Sequence, residues 1–437
     1  MPERAKSTKK TPARLRAIEL FAGVGGFRLG LEAAGWEVVW ANQWEPPGTP
    51  ARQFAYNCYV ERFDPEVRHP EAHSNRDIAS VLDDVAAKKY RIPAHELLVG
   101  GFPCQDYSVA KPLSQAEGIR GKKGVLWWEI YRLLELKKPR FVLLENVDRL
   151  LKSPVKQRGR DFAVILACFA RLGYAVEWRV VNAAEYGYPQ RRRRVFIYAE
   201  RLNKGVEWDP AERLVSSGVM ARALPVVEKD HFEADHASVL AEYLELQTDV
   251  YEVSTSVGTE GRRSPFKSAG VMRGGQVWTR ALTPTLPEHA TTLGDVVAET
   301  GEVDPSFYVT DEALDRWRYL KGAKREPRTD KTTGFEYFYS EGGMSFPDSL
   351  DKPSRTILTG EGGTSASRFK HAIQPTPGGP MRRLVPEELE ALNGFPRGWT
   401  DTGMTGVQRA FCMGNALVVG VVQRIGAEIR TEAKRSP

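Results

Sequence analysis

The chain has 437 residues, of which 41% are hydrophobic, and its formal net charge is +6. This length allows two or three domains with buried cores, and the modest positive charge is compatible with a polyanionic partner without requiring one. Four widely separated cysteines without a Cys-x-x-Cys pair argue against a disulfide framework and a zinc site. Because the basic first 16 residues lack a signal-peptide core and no apolar run suggests a membrane span, we expect a cytoplasmic protein.

The predicted elements begin after residues 1–16, which we expect to form a disordered basic tail. From Arg16 to about Glu200, apolar strand-like runs alternate with helical stretches, as in a mostly parallel sheet covered by helices on both faces. The predicted strands read RAIELF, EVVWAN, HELLVGG, RFVLLENV, AVEWRVVN and RVFIYAE. The predicted helices read GFRLGLEAAG, RDIASVLDDVAAKKY, LWWEIYRLLELKK and DFAVILACFARLG.

The pattern changes after about residue 205. Charged loops, glycine-rich turns and scattered aromatics predict a second, smaller domain that is irregular and strand-rich, with one short helix at TDEALDRWRYLKG. A helical pattern returns at VPEELEAL, and the last helix has the apolar character of the first domain. We therefore assign residues 17–205 plus 408–437 to a first domain and residues 206–407 to a second domain and hinge.

The stretch from Gly100 to Ser108, GGFPCQDYS, follows a short apolar strand. Pro103 stiffens the turn, and Cys104 would face the crevice where open α/β sheets bind ligands. This placement predicts a nucleophile, and the alternative is a small buried hydrophobic residue.

A second motif, AIELFAGVGGFRLGLEAAG, places a glycine turn between a strand and a helix. Gly23, Gly25 and Gly26 would let a ligand approach the backbone at the start of the helix. Because Arg28 stands where the dinucleotide fingerprint has its third glycine, a nicotinamide or flavin site is disfavoured. Taken alone, the motif could be only a tight turn.

The glycine turn is followed in order by PCQ (103–105), ENV (145–147), QRRRR (190–194) and GNALVV (414–419). In this combination the chain resembles the DNA cytosine-5 methyltransferase family of bacterial restriction-modification systems. The resemblance covers about 18–197 and 382–425. It implies a Rossmann-like α/β methyltransferase domain and a target-recognition domain, which correspond to the first and second domains.

The implied reaction transfers a methyl group from S-adenosyl-L-methionine to C5 of a flipped-out cytosine in a specific duplex DNA sequence. By resemblance, the Cys104 thiolate adds to C6 of the base. Glu145 stabilises developing charge at the ring nitrogen, and Arg192 and Arg194 do so at the carbonyl oxygen. Read without the other motifs, Glu145 could be a strand-end cap and the arginine run a solvated charge cluster. We expect no metal, and a water molecule as the base for the C5 proton.

The resemblance also implies a cofactor site assembled from several motifs. Its matching residues are Phe21, Gly23, Gly25, Gly26, Asp77, Ile78, Leu126, Asn415 and Ala416. Where the family has Asn-Glu after the second strand, this chain reads Asn-Gln. We expect Gln43 or Glu45 to bind the ribose hydroxyls and Trp44 to stack on adenine.

Duplex DNA is the expected partner, because a cytosine inside the stack must be flipped out and the opened duplex held by its phosphates. We expect the segment 106–124 to be a mobile loop that closes over the DNA. The candidate DNA contacts are Ser108, Lys122, Lys123, Arg355, Thr356 and Arg368. Each of them could instead be a turn or surface residue. We further expect a nucleoid-associated monomer that shares its site with a cognate restriction endonuclease without direct contact.

Three alternatives stay open at this point. An RNA cytosine-5 methyltransferase of the transfer-RNA branch has the same architecture, although the long second region favours DNA. A catalytically silent DNA-binding protein could retain the fold. A cysteine hydrolase would need a suitably placed histidine, and His95, on the same predicted strand as the approach to Cys104, is expected to be structural. The recognition sequence and the existence of an endonuclease are left open by the sequence.

Overall fold

A computed structural model describes most of the chain. The described ranges are 15–46, 53–102, 126–202, 209–227, 242–247, 249–258, 263–330 and 333–435. Four of the predicted site residues, Cys104, Ser108, Lys122 and Lys123, lie outside these ranges, as does nearly all of the predicted tail.

Twelve strands occur in the described ranges. They are β1 (Arg16–Leu20), β2 (Glu37–Asn42), β3 (His73–Ser74), β4 (Leu97–Gly101), β5 (Phe141–Val147), β6 (Tyr174–Asn182), β7 (Arg193–Arg201), β8 (Glu242–Glu245), β9 (Ala269–Arg273), β10 (Gln276–Arg280), β11 (Lys324–Thr329) and β12 (Glu336–Glu341). The first ten form one sheet in the order β3-β2-β1-β4-β5-β7-β6-β9-β10-β8, and β11 pairs only with β12.

The α-helices fall between and after these strands. They are α1 (Gly26–Ala33), α2 (Phe54–Phe63), α3 (Ile78–Ala86), α4 (Leu126–Lys137), α5 (Arg160–Arg171), α6 (Pro210–Glu212), α7 (Val219–Ala223), α8 (Val250–Ser256), α9 (Leu293–Ala298), α10 (Asp311–Lys321), α11 (Pro386–Leu392), α12 (Gly406–Asn415) and α13 (Val419–Arg435). A π-helical turn, Arg213–Ser217, continues α6, and short 3₁₀ turns such as Asp148–Lys152 follow several strands.

The sheet confirms the predicted fold class. All six predicted strands are present, and the pairings β1–β2, β2–β3, β1–β4 and β4–β5 are parallel. The pairings β5–β7 and β6–β7 are antiparallel, so the first seven strands form a mostly parallel sheet. Strands β8 to β10 come from the region after residue 205, yet they extend this same sheet through the antiparallel β6–β9 pairing.

Helices cover both faces of the sheet, as in a doubly wound fold. One core contains Ile78 of α3, Trp127 of α4 and Phe162 of α5, while the opposite core contains residues of α1 and α13. A Cβ atom on Gly30 of α1 would lie 2.8 Å from Val422 Cβ of α13. The last helix therefore packs tightly against the first, as expected from its apolar sequence.

One segment, Gly406–Arg435, is long and apolar enough by composition to cross a membrane. It consists of two helices, α12 and α13, separated at residues 416–418. Most of its apolar window is buried, and Val421, Ile425 and Ile429 are core residues. The apolar composition of this segment therefore reflects its position in the core of the protein.

The second region is joined to the first by a shared core. Ile357, Ile373 and Leu389 pack in one cluster with Val24, beside the glycine turn, and Met413 of α12. The predicted helices at TDEALDRWRYLKG and VPEELEAL are confirmed as α10 and α11. Much of this region is loop, and the shared core fixes it beside the carboxyl ends of the parallel strands.

Candidate active site

A left-handed turn joins β1 to α1. Phe21, Gly23 and Gly25 have φ angles of 55°, 55° and 89°, values that glycine adopts readily and a bulky residue adopts only under strain. No described atom lies within 4 Å of the position of a Cβ on Gly23, whereas a Cβ on Gly25 would lie 2.3 Å from Phe63 Cε2. Open space beside a strained turn at a helix N-terminus fits the polar end of a cofactor.

Both residues that were expected to bind the ribose already have a partner within the chain. Gln43 Oε1 accepts a hydrogen bond of 2.8 Å from the Gly23 N–H. Glu45 Oε1 accepts one of 3.3 Å from the Ala55 N–H at the start of α2, and burial raises the pKa of Glu45. Gln43 therefore supports the glycine turn directly, while Glu45 supports the neighbouring helix.

Gln43→Glu is expected to leave cofactor binding and activity intact, because a carboxylate oxygen can accept the same hydrogen bond from Gly23. Gln43→Leu, which lacks an acceptor, should weaken S-adenosylmethionine binding by about tenfold. Isothermal titration with the cofactor measures both variants. Complete loss of binding in Gln43→Glu would contradict this assignment.

The other predicted cofactor residues lie at the ends of elements that converge on the same edge. Asp77 precedes α3, Ile78 is buried in its first turn, and Leu126 begins α4. Asn415 ends α12 and is exposed, and Ala416 follows it. Trp44, after β2, is half-buried. Phe21, Ile78 and Leu126 all belong to or pack against the same hydrophobic core.

Glu145 and Arg194 form an ion pair at the carboxyl end of β5. Arg194 Nε lies 2.8 Å from Glu145 Oε1, and both side chains are mostly buried. Burial raises the pKa of Glu145, and Arg194 and then Arg192 oppose this rise. A Cβ on Gly101 would lie 3.1 Å from Glu145 Oε2, so the glycine at the end of β4 leaves room for the carboxyl group. Glu145 thus points toward the chain segment that leads to Cys104.

Asn146 holds the start of that segment and was not predicted as a site residue. Its Nδ2 donates a hydrogen bond of 2.8 Å to the Phe102 carbonyl, and its Oδ1 accepts one from the Val147 N–H. Phe102 is the last described residue before Pro103 and Cys104. Consecutive strand residues point to opposite faces of a sheet. Asn146, which follows Glu145 in the ENV motif, could therefore have been predicted to act on the other side of β5.

Arg192 and Gln190 connect β7 to the second region. Arg192 donates hydrogen bonds to the carbonyls of Ile357 (3.1 Å) and Gly414 (2.9 Å), and burial lowers its pKa to about 9. Gln190 is fully buried, accepts from the Ile357 N–H and donates to Asn393 Oδ1. Burial alternates along the arginine run. Arg192 and Arg194 point inward, while Arg191 and Arg193 are exposed.

The candidate DNA contacts in the second region are held by internal partners. Arg355 pairs with Asp348 at 2.6 Å, and Thr356 Oγ1 donates to the Arg191 carbonyl. Arg368 donates to the carbonyls of Leu320, at 3.1 Å, and Gly322, and it pairs with Glu341. These three side chains therefore stabilise the second region and its attachment to β7.

A basic segment that was not predicted follows β5 directly. Residues 149–158, RLLKSPVKQR, contain four basic and no acidic residues. Arg149, Lys152 and Lys156 are exposed and Arg158 is half-buried, and none of the four pairs with an acidic group in the described part of the chain. The signal was visible in the sequence as a charge run just after ENV, at the mouth of the site.

The chain matches a family model, that of C-5 cytosine-specific DNA methylases, over residues 15–431. It belongs to this family. Type II methyltransferase M.Sau3AI of Staphylococcus aureus is 44% identical over 427 residues, or 95% of each chain. Type II methyltransferase M.HhaI of Haemophilus parahaemolyticus is 30% identical over 53% of this chain and 64% of its own. The S. pombe Dnmt2 methyltransferase structure shares the fold, with a TM-score of 0.55 and 17% identity over 96% of this chain and 99% of its own.

Family membership confirms the predicted enzyme class, fold, substrate and methyl donor. The protein is a DNA cytosine-5 methyltransferase that uses S-adenosyl-L-methionine.

Proposed function

We propose that this methyltransferase acts through a covalent adduct between Cys104 and C6 of a cytosine flipped out of a specific duplex sequence. The observation that supports this most is the Glu145–Arg194 pair beside Asn146, which holds the backbone two residues before Cys104. An acid, a cation and the approach to a thiol converge at one strand end. Carbon–carbon bond formation at C5 requires this set of groups, because C5 becomes nucleophilic only after C6 has been attacked.

The residues have distinct tasks in the reaction. The Cys104 thiolate forms a bond to C6, and the electron pair of the C5–C6 double bond moves toward the ring nitrogen and carbonyl. Glu145 protonated on Oε2, with Oε1 still paired with Arg194 Nε, donates a hydrogen bond to that nitrogen. Arg194 stabilises the negative charge on the carbonyl oxygen. Arg192 lies behind Arg194 and would add to the positive potential. When bound, S-adenosyl-L-methionine would supply the methyl group to C5 from its sulfonium and leave as the neutral thioether. Loss of the C5 proton to water and expulsion of the thiolate then restore the double bond.

Trapping on duplex DNA that contains 5-fluorocytosine tests this mechanism. Fluorine at C5 cannot leave as a proton, so the active enzyme should form a denaturation-resistant complex in the presence of S-adenosylmethionine. Cys104→Ser should form none, and Cys168→Ser, which changes a fully buried cysteine in α5, should still form it. Trapping by Cys104→Ser, or none by the wild type, would overturn the mechanism; transfer to transfer RNA instead of duplex DNA would favour the RNA alternative.

The cofactor would be held by the residues of the convergent edge. The turn at Gly23 would leave space for the polar end of the cofactor, and Ile78 and Leu126 would supply apolar walls. Phe21 and Trp44 would supply aromatic contacts and Asp77 a carboxylate, as the resemblance implies. Gly25, Gly26, Asn415 and Ala416 complete the set, in which Gly26 lies against Leu417 of the returning chain.

The basic segment 149–158 binds the phosphates of the duplex near the flipped base. Four cations that have no acidic partner in the described part of the chain are suited to phosphate oxygens, which fix the register of a protein on DNA. Ser108, Lys122 and Lys123 remain proposed phosphate contacts, on the resemblance alone.

Lys152→Ala combined with Lys156→Ala is expected to weaken duplex binding and to make it less sensitive to salt. Each lost phosphate contact should reduce the slope of log K against log salt concentration by about 0.9. Fluorescence anisotropy with a labelled duplex over a salt series measures the slope. Lys89→Ala with Arg91→Ala, exposed cations before β4 at the opposite end of the strands, is the matched control. An unchanged slope in the first pair would exclude the segment from the interface.

Residues 17–205 and 408–437 form the catalytic domain, to which β8–β10 are attached through β6, and the rest of 206–407 forms the recognition domain. The enzyme acts as a cytoplasmic monomer on nucleoid DNA, as the modification partner of a restriction endonuclease. Its likeness to Type II methyltransferases supports that role. Mapping 5-methylcytosine in a host without cytosine methylation would reveal the recognition sequence.

A further inference from the structure

The two-stranded ribbon β11–β12 stands apart from the large sheet. Its strands pair in register from Lys324↔Glu341 to Thr329↔Glu336 and with no other strand in the described ranges. Alternate residues define two faces. One face contacts α10, where the Tyr319 hydroxyl donates to Glu326. The opposite face, which we call the open face, is entirely exposed.

The open face combines residues that a solvated ribbon does not need. It consists of Arg325, Pro327, Thr329, Glu336, Phe338 and Ser340. Phe338 is 61% exposed, and the Arg325 guanidinium lies 4.6 Å from its ring centroid. On the other face, near the tip, Arg328 lies 3.6 Å from the centroid of the Tyr339 ring. Exposed aromatic rings stacked with guanidinium groups are typical of a binding surface.

The ribbon is fixed to the active site through residues that were first expected to touch DNA. Arg368 holds the base of the ribbon through Glu341 and the Leu320 carbonyl. Asp348 binds Lys321, just before the ribbon, and also Arg355. The chain continues from there into Ile357, whose carbonyl receives Arg192. The position of the ribbon relative to Glu145 is therefore set by buried contacts.

We infer that the open face of the β11–β12 ribbon enters the major groove and reads base edges of the target sequence, an inference that rests on the proposed action on a specific duplex sequence. A two-stranded ribbon fits the width of this groove. The mixture of charges favours base reading over phosphate binding. Arginine pairs with guanine, glutamate accepts from cytosine, and threonine and phenylalanine contact the thymine methyl group. Phosphate contacts come from cations and neutral hydrogen-bond donors, so a carboxylate and an exposed aromatic ring on this face do not fit phosphate binding.

Arg325→Ala and Phe338→Ala, made singly in the full-length enzyme, test the assignment. The wild-type recognition sequence is first mapped from 5-methylcytosine in a methylation-free host. Methylation rates are then compared on the cognate duplex and on duplexes with one altered base pair. Each variant should reduce the preference for the cognate site about tenfold or more at one or two positions. Cofactor affinity should not change, and neither should formation of a trapped complex once a duplex is bound.

Tyr251→Ala, which removes a similarly exposed aromatic side chain from α8, is the matched control and should leave the preference unchanged. If an alanine variant fails to fold by circular dichroism, Arg325→Gln and Phe338→Leu replace it with the same expectation. Unchanged preference in folded ribbon variants would overturn the inference, as would a wild-type dimer that these variants convert to monomers. A wild type that methylates without sequence preference would instead refute the proposed function.

Discussion

Glu145→Gln is expected to lower the rate of methyl transfer by about 10²- to 10⁴-fold while leaving S-adenosylmethionine affinity unchanged. Glutamine keeps a hydrogen-bond donor at the ring nitrogen but cannot give up a proton to it as negative charge develops. Single-turnover kinetics on the cognate duplex would separate this step from DNA binding and product release.

The pH dependence of the same step follows from the surroundings of Glu145. Burial raises the pKa of its carboxyl group, so the protonated form persists to higher pH than in an exposed glutamate. Because the protonated form is the donor, the wild-type rate should fall as pH rises through this pKa. Glu145→Gln should lack that decline. A Gln variant that retains the wild-type rate or its alkaline decline would remove Glu145 from the proposed role.

Glu200→Gln is the matched control for this experiment. Glu200 is also a buried glutamate with a pKa raised by burial, and it lies on the neighbouring strand, paired with Arg213 at 3.3 Å. It stands opposite Phe141, at the far end of β5 from Glu145. Its replacement should leave methyl transfer unchanged, which would show that burial of a glutamate in this sheet is not sufficient for catalysis.

The sequence predicted the strands better than their directions. Apolar runs identify six of the seven strands of the first region, all except the two-residue β3, because buried strands are continuous hydrophobic segments. The antiparallel direction of β6 and β7 was predictable only from the loop between them, which spans 183–192 and is short for a parallel crossover. Strands β8–β10 were assigned to the second region because pairing with β6 across some 90 residues leaves no local signal.

Local motifs identified side chains of the candidate site but could not show the partners with which those side chains pair. Glu145 and Arg194 were predicted from separate motifs, and the antiparallel β5–β7 register brings them within 2.8 Å. Arg355 and Arg368 look in sequence like free cations in a glycine-rich segment. Their partners, Asp348 and Glu341, become neighbours only when the second region folds, so motif reading alone cannot distinguish a DNA contact from an internal ion pair.

Glu19→Gln is expected to stabilise the protein, and increasingly so as pH rises. Glu19, the acidic residue of β1, is fully buried, and the Tyr59 hydroxyl, 3.0 Å away, donates to its Oε2. Burial raises the pKa of Glu19 to about 8, and the hydrogen bond from Tyr59 and the charge of Arg28 only partly oppose this. Below the pKa that an unfolded chain would have, both states are protonated and the glutamate carries no penalty.

Between that value and about pH 8, the folded state retains a proton that the unfolded state releases. The free energy of unfolding should therefore fall with rising pH by up to about 1.4 kcal/mol per pH unit. A neutral glutamine does not titrate, so the advantage of Glu19→Gln should grow from near zero at about pH 4 to on the order of 3 kcal/mol or more at about pH 8.5. Urea unfolding at a series of pH values measures this difference.

Glu37→Gln, which changes an exposed glutamate on the adjacent strand β2, should leave the pH dependence as it is in the wild type. Parallel unfolding curves for wild type and Glu19→Gln across the whole pH range would show that Glu19 does not keep a proton in the folded state. If the curves diverge as expected, the buried Glu19 lowers the stability of the folded protein above neutral pH. Glu19 lies just before Leu20 and the strained turn at Phe21. Such a cost in the strand that supports the glycine turn is expected where a fold is shaped by its ligand site rather than by stability alone.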